Sequence, residues 1–208
     1  MVLRFLSWCY DAVTLVLFVG APLAASVAID RYYKRDVQSW YKQLRKPSWQ
    51  PPEWVYGAAW PLMYTMMGTA AWMVTQHGGV WGQQWPTFLY TLQLALNLAW
   101  PVLFFGMHRL DLALVDSCAL MLAIAATMRA FNRVEPLTAT MLVPYLLWTA
   151  FATVLNYDTW ARNPEASTLG LLKRAKLEAI REPKVGASGV EGRHEYNLRS
   201  HEVQAKEE

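Results

Sequence analysis

Trp54 to His108 reads WVYGAAWPLMYTMMGTAAWMVTQHGGVWGQQWPTFLYTLQLALNLAWPVLFFGMH and contains no Asp, Glu, Lys or Arg. A water-soluble fold rarely leaves so long a run uncharged, because part of it must face solvent, whereas in a bilayer the run is at home. A second run without charge extends from Pro136 to Tyr157. Over the whole 208-residue chain 54% of residues are hydrophobic and only 17% charged, low in charge for a globular protein. The sequence therefore specifies an integral membrane protein.

Outward from that stretch, apolar segments of roughly 18 to 23 residues, the length of a membrane-crossing helix, fall near 12–29, 54–76, 87–107, 111–131 and 136–158. They predict an all-α membrane protein, a bundle of five transmembrane helices over residues 12–162, with a short N-terminal segment, 1–11, before it. The first segment has a second reading, because Arg4, an apolar stretch and the small residues Ala24, Ala25 and Ser26 also compose a signal peptide; its length favours the helix. From Asn163 the chain turns polar, with Pro164, Pro183 and several glycines, and predicts a mostly disordered tail over 163–208. Within it, Thr168 to Glu182 sets Leu169, Leu172, Ala175, Ala179 and Ile180 among Lys and Arg, a pattern of either a solvated partial helix or one lying on an anionic membrane surface.

The charges at the segment ends orient the bundle. Arg31, Lys34, Arg35, Lys42, Arg45 and Lys46 fall after the first segment, Arg109 between the third and fourth, and Arg162, Lys173, Arg174 and Lys176 after the fifth; Arg4, Arg129 and Arg133 occupy the other side. The positive-inside rule places the first loop and the C-terminus in the cytosol.

Other classes find little support. Cys9 and Cys118 lie far apart in or beside apolar segments, which suits buried thiols rather than a disulfide framework or a metal site. A net charge of +3, with its cations at segment ends, gives no nucleic-acid footprint. There is no Gly-rich phosphate loop, Ser/His/Asp constellation or paired-cysteine motif, and His77 and His108 each stand alone at a helix end.

Polar and large aromatic residues at mid-depth mark the faces that helices turn toward one another, since lipid offers them no hydrogen-bond partner. Gln93, Asn97, Trp100 and Phe104 form one such stripe, Tyr145, Trp148, Ala152 and Asn156 a second, and Trp60, Tyr64 and Met67 a third. Their convergence lines an aromatic cavity or, alternatively, a packed core. Trp148 lies near the bilayer centre, where its indole N–H calls for an internal partner. Asp116, one and a half turns into the fourth helix, is either a proton or ligand site or a structural group pairing with Arg109 or accepting a hydrogen bond from another helix. Ala95 and Ala99 make a small-xxx-small pair that permits a homodimer, and Ala119, Ala123 and Thr127 repeat the pattern. The first loop, with Trp40, Tyr41, Lys46, Pro47, Ser48, Trp49, Gln50, Pro51 and Pro52, is too rich in proline for regular helix and supplies rigid apolar surface to cap a cavity; Pro52 also suits the start of the second helix.

These residues resemble the translocator protein family, TspO/MBR. The resemblance rests on Trp40-Tyr41 and Lys46 to Pro52, on Trp60, on Gln93 to Asn97 with Trp100-Pro101 and Phe104 to Gly106, on Ala113 to Asp116, and on Pro144 to Trp148, Phe151 to Thr153 and Leu155 to Tyr157. It implies a receptor or translocator that binds porphyrins, heme and sterols such as cholesterol in an intramembrane cavity closed by the first loop, for shuttling or sequestration. No cofactor is required and no metal site is implied. Tyr41, Trp49, Trp60, Asn97, Trp100, Trp148, Ala152 and Leu155 are the implied ligand-binding residues. Leu155, Tyr157 and Arg162 fit the family's sterol-recognition pattern, although Tyr157 is equally a membrane-interface residue. Trp60 and Trp148 match tryptophans implicated in light-dependent porphyrin breakdown in bacterial relatives, which keeps an enzymatic alternative open. The sequence departs from the family where Leu112 replaces a tryptophan usual in animal members and where Ala161 separates Trp160 from Arg162. The family's range puts the mitochondrial outer membrane first as location and the endoplasmic reticulum second.

Overall fold

The structure is a computed structural model that describes residues 2–167 together with Leu172, Lys176 and Leu177. Five long helices account for most of the described chain. Helix α1, residues 2–41, is α-helical at Val2–Leu15 and Ala21–Asp36 and widens into single π-helical turns at Val16–Gly20 and Val37–Tyr41. The first widening has a cause in the sequence. Pro22 has no N–H to give the Phe18 carbonyl four residues back, and Tyr90 Oη donates to that carbonyl instead, at 2.7 Å.

Helix α2 is Glu53–Thr75, entered from Pro52 and carrying Glu53 where the helix dipole favours a negative charge. Helix α3 spans Gln84–Gly106 and ends in a π-helical turn, Val102–Gly106, directly after Pro101. Helix α4 is Leu110–Asn132. Helix α5 spans Pro136–Arg162, a short piece Pro136–Met141 followed past Leu142 by Val143–Arg162, with Pro144 at the restart.

The all-helical membrane bundle expected from the sequence is present, with α1 longer than residues 12–29 at both ends. Apolarity marks only the part that lipid surrounds, whereas helical hydrogen bonding continues through Asp30–Asp36 on polar residues that reach water. Trp8–Tyr41, Gln84–Gly106, Leu110–Asn132 and Pro136–Arg162 are long and apolar enough to cross a membrane. Helix α2 has the length, 23 residues, with its apolarity diluted by Trp, Tyr, Thr and Gly. Its middle is deeply sheltered: Met67 and Ala70 expose no surface.

Neighbouring contacts run from α1 to α2, α2 to α5, α5 to α4, α4 to α3, and α3 back to α1, closing the helices into a ring. At one end of this ring, Asn163 bonds the backbone of Arg45 and the Leu110 N–H donates to the Ala166 carbonyl. The first loop, the α3–α4 turn and the chain leaving α5 therefore share an end, as the charge pattern predicts. Asn163 to Ser167, placed in the tail by composition, form packed turns with Asn163, Ala166 and Ser167 buried. The bundle lies in a unit of Met1–Thr168; a second unit, Leu169–Glu208, falls almost wholly outside the described residues, and so do the expected surface helix at Thr168 to Glu182 and the rest of the tail.

The two halves of the ring are filled differently. Away from the first loop, Met63, Met67, Ala70, Ala71, Val74, Tyr90, Leu120, Ile124, Phe131, Leu142 and Tyr145 form a continuous core. Gly68 lets α1 and α2 meet there: a Cβ at this position would lie 2.3 Å from the Phe18 carbonyl oxygen. Near the first loop the same helices enclose a cavity.

Candidate functional site

The floor of the cavity is a polar chain across three helices. Tyr64 Oη on α2 donates to Asn97 Oδ1 on α3 at 2.6 Å, and Asn97 Nδ2 donates to Tyr145 Oη on α5 at 3.1 Å. Tyr145 is fully buried below the chain, while Tyr64 and Asn97 face the space above it. Side chains that need partners in lipid have found one another, and in doing so set the spacing of α2, α3 and α5.

Above this floor lies a cavity of about 570 Å³ lined by all five helices and by Gln50 of the first loop. The volume falls within the range of roughly 300–1,000 Å³ typical of small-molecule sites. One wall is aromatic. Trp100 stacks on Phe104 with centroids 4.5 Å apart, Phe105 meets Phe104 edge-on at 4.9 Å, Tyr41 closes on both at 5.9 and 5.6 Å, and Trp60 stacks on Tyr64 at 5.9 Å. Offset and edge-on rings present flat apolar faces without collapsing onto one another, which suits a flat apolar guest. The facing wall, from α4 and α5, is built of smaller residues: Ser117, Leu120, Thr149, Ala152, Leu155, Asn156 and Thr159.

The first loop closes the end of the cavity. Gln50 of the loop lines it together with Tyr41, which, like Trp40, belongs to the last turn of α1 rather than to the loop expected from the sequence; Pro47 is buried, and Lys46 Nζ sits 3.8 Å over the centre of the Tyr41 ring, a cation–π contact. Partial burial holds the Lys46 ammonium below the usual lysine range, with Glu53 opposing the shift and Lys42 adding to it. Trp40, Tyr41 and Leu44 pack onto a second apolar cluster with Phe104, Leu110, Ala113, Trp160 and Ala166. Asn163 completes the closure by bonding Arg45 twice, accepting from its N–H at 3.0 Å and donating to its carbonyl at 2.8 Å. On the same side His108 stacks on Trp40, centroids 4.2 Å apart, and lies 3.6 Å from Asp36.

Six of the eight sequence-selected residues line this space: Tyr41, Trp60, Asn97, Trp100, Ala152 and Leu155. Trp148 stands behind the wall, packed on Trp60, Tyr56 and Phe151 with centroids 6.3, 5.9 and 5.4 Å away. Its indole N–H, for which the sequence calls for an internal partner, has none among the described residues. Trp49 is 44% exposed and packs on Phe151 from outside. The sterol-recognition trio is not brought together: Leu155 points inward, Tyr157 is 55% exposed, and Arg162 is held by Asp158 at 2.8 and 3.3 Å. Asp116 is buried with Oδ2 unpartnered among the described residues; the pairing with Arg109 is replaced by a two-bond contact of Arg109 with Asp111, at 2.9 and 3.2 Å. Ala95 is exposed and Ala99 half-buried on α3.

Sequence reasoning missed the contribution of α1, where Ser26, Val27, Ile29, Asp30, Arg31, Tyr33 and Val37 complete the enclosure. The signal available was Tyr33, Val37 and Tyr41 at four-residue spacing, which runs beyond the apolar segment of α1. It also missed Tyr56, Gly57, Thr149 and Thr159, although Thr149, Ala152, Asn156 and Thr159 recur at the spacing of one helix face.

A sequence profile described as the TspO/MBR family matches residues 12–161. The Translocator protein of Homo sapiens is 43% identical over 148 residues, covering 70% of this chain and 88% of that protein. The Tryptophan-rich protein TspO of Chlorobaculum tepidum is 38% identical over 158 residues, covering 73% and 96%. The Tryptophan-rich sensory protein of Cereibacter sphaeroides is 42% identical over 130 residues, covering 61% and 80%.

Proposed function

The chain belongs to the TspO/MBR family, and on that premise we propose that it is a membrane receptor or translocator which takes porphyrins, heme and sterols into the cavity within its bundle and shuttles or sequesters them. The observation that carries the reading is the aromatic wall of Tyr41, Trp60, Trp100, Phe104 and Phe105 along a cavity of about 570 Å³ within the bundle. Such a wall binds flat apolar molecules by stacking and by excluding water.

The exposed Ala95, with Ala99 one turn on, offers a face on α3 for a second copy of the chain. The proposed location is the mitochondrial outer membrane, with the endoplasmic reticulum as alternative; the resemblance to the family carries this, supported by the human relative at 43% identity.

The test is a titration of the detergent-solubilised protein with protoporphyrin IX, following tryptophan emission and porphyrin absorbance in the dark and under light. Saturable quenching without loss of porphyrin, weakened by Trp60→Phe, is the expected outcome. The enzymatic reading draws on the contact between Trp60 and Trp148, 6.3 Å between centroids, and it alone predicts loss of porphyrin under light that Trp148→Phe abolishes. Absence of saturable binding would remove the ligand assignment.

A further inference from the structure

Helix α1 leaves the lipid with two unlike faces. Tyr33, Val37 and Tyr41 line the cavity. On the other side Arg31, Lys34, Arg35 and Gln38 recur at i, i+3, i+4 and i+7, the spacing of a single helix face, and all four are exposed. None of the three cationic side chains has an ion pair or hydrogen bond among the described residues. Arg31 and Arg35, like charges one turn apart, repel each other, and an anion between them would relieve that repulsion. The nearby acids are engaged elsewhere: Asp36 lies 3.6 Å from His108, and Glu53 on α2 supports the Lys46 ammonium. Asp30 stands beside the face, so three cations against one carboxylate leave it with two net positive charges.

This face crosses the membrane surface. The apolar segment of α1 ends near Ile29, and at the helical rise Arg31 lies about 3 Å and Arg35 about 9 Å beyond it. The headgroup layer on each side of a bilayer is roughly 5–7 Å thick. The face also borders an opening. Helices α1 and α2 meet closely at Phe18 and Gly68 and part toward the first loop, where a Cβ on Gly57 would have nothing within 4 Å. Both edges of the gap carry exposed residues that line the cavity, Val27 and Arg31 on α1 and Gly57 and Pro61 on α2. Arg31 therefore belongs to the cationic face and to the mouth of the cavity at once.

A partner that matches both features is anionic at one end and apolar along its length. An acidic peptide in water would meet only the charges, and an uncharged lipid only the gap. We propose that Arg31, Lys34 and Arg35 hold the headgroup of an anionic phospholipid, drawn from the leaflet on the side of the first loop, and that one of its acyl chains lies in the gap between α1 and α2. The bound lipid then forms part of the boundary of the cavity on its open side.

The experiment reconstitutes the full chain in nanodiscs of phosphatidylcholine containing phosphatidylserine and counts the lipids retained on the protein by native mass spectrometry. A preference for phosphatidylserine on the order of thirtyfold is expected, about fivefold for each of the two net charges. Arg31→Gln should lower it about fivefold, and Arg31→Gln with Arg35→Gln should bring it close to one. Arg45→Gln removes one charge from the same side of the membrane but off this face, and should change the preference less than about twofold. Gly57→Leu fills the gap without touching charge and should lower phosphatidylserine retention at least about threefold, the worth of roughly one methylene of lost contact. Arg31, Arg35, Arg45 and Gly57 are all exposed, so these substitutions leave the core intact. Equal retention of the two lipids by the unaltered chain would overturn the site. So would a loss in Arg45→Gln as large as in Arg31→Gln, which would reveal only a general attraction of charge. Unchanged retention in Gly57→Leu would overturn the placing of the acyl chain. Because no porphyrin enters the measurement, its outcome is independent of what the cavity itself binds.

Discussion

The same five helices enclose a solid core in one half of the bundle and a cavity in the other, and the contrast shows what keeps a membrane protein hollow. In the solid half Met63, Met67, Ala70, Ala71 and Ile124 fill the space left between the rings of Tyr90, Phe131 and Tyr145, the methionines adapting to whatever gap remains. In the hollow half the largest residues are rigid rings that brace against one another, while Gly57, Ser117, Ala152 and Asn156 are too short to reach across. Two glycines of α2 summarise the difference. Gly68 has the α1 backbone within 2.3 Å of where a Cβ would be, whereas Gly57, three turns earlier on the same helix, has nothing within 4 Å.

The comparison breaks most readily at Gly68. Gly68→Leu must push α1 off α2, and a loss of about 3 kcal/mol or more is expected, read as a large fall in the melting temperature of the detergent-solubilised protein. A variant that melts with the wild type would show that this contact does not close the solid half. Next in size is the boundary between the halves. Tyr145→Phe strips Asn97 Nδ2 of its acceptor in a buried place and should cost about 1–2 kcal/mol, together with weaker protoporphyrin binding, because Asn97 forms part of the cavity floor. Loss of stability with unaltered binding would mean that the floor does not shape the site.

Smaller still is the effect expected at the closure. Asn163→Ala removes both bonds to Arg45 and should cost about 1 kcal/mol, while protoporphyrin dissociates faster and the Arg45 amide exchanges its hydrogen sooner. Unchanged exchange at Arg45 would show that the loop is held by its apolar contacts alone. The smallest effect has the opposite sign. Gly57→Ala meets open space and removes a helix-weakening glycine, so it should stabilise the protein by up to about 1 kcal/mol. If it destabilises, the hollow half is tighter at α2 than its geometry indicates.

The sequence was most informative where lipid imposes a rule. Uncharged runs located the cores of the helices, and polar or aromatic stripes on α2, α3 and α5 pointed to Trp60, Tyr64, Asn97, Trp100 and Ala152 as an inward-facing set, all of which line the cavity. Periodicity gives the direction in which a side chain leaves its helix and not its distance from the centre. Trp148 therefore could not be told from Trp60, though it stands one layer further out. The wall contributed by α1 carries Asp30 and Arg31, residues that read as a loop beyond the membrane because hydropathy does not register a helix continuing past the lipid. The bond between Arg45 and Asn163 joins positions 118 apart, and nothing local to either residue announces the other.

That bond also bears on what happens beyond it. The chain leaves α5 by passing Asn163, which grips the first loop, and then Ala166, which accepts from Leu110 at the start of α4. Traction on the chain after Ser167 would be delivered first to these two attachments and only afterwards to the long helices. In mechanical terms the C-terminal exit is fastened to the first loop and to the start of α4, so that a load applied from that side meets these two attachments before it meets the frame of the bundle.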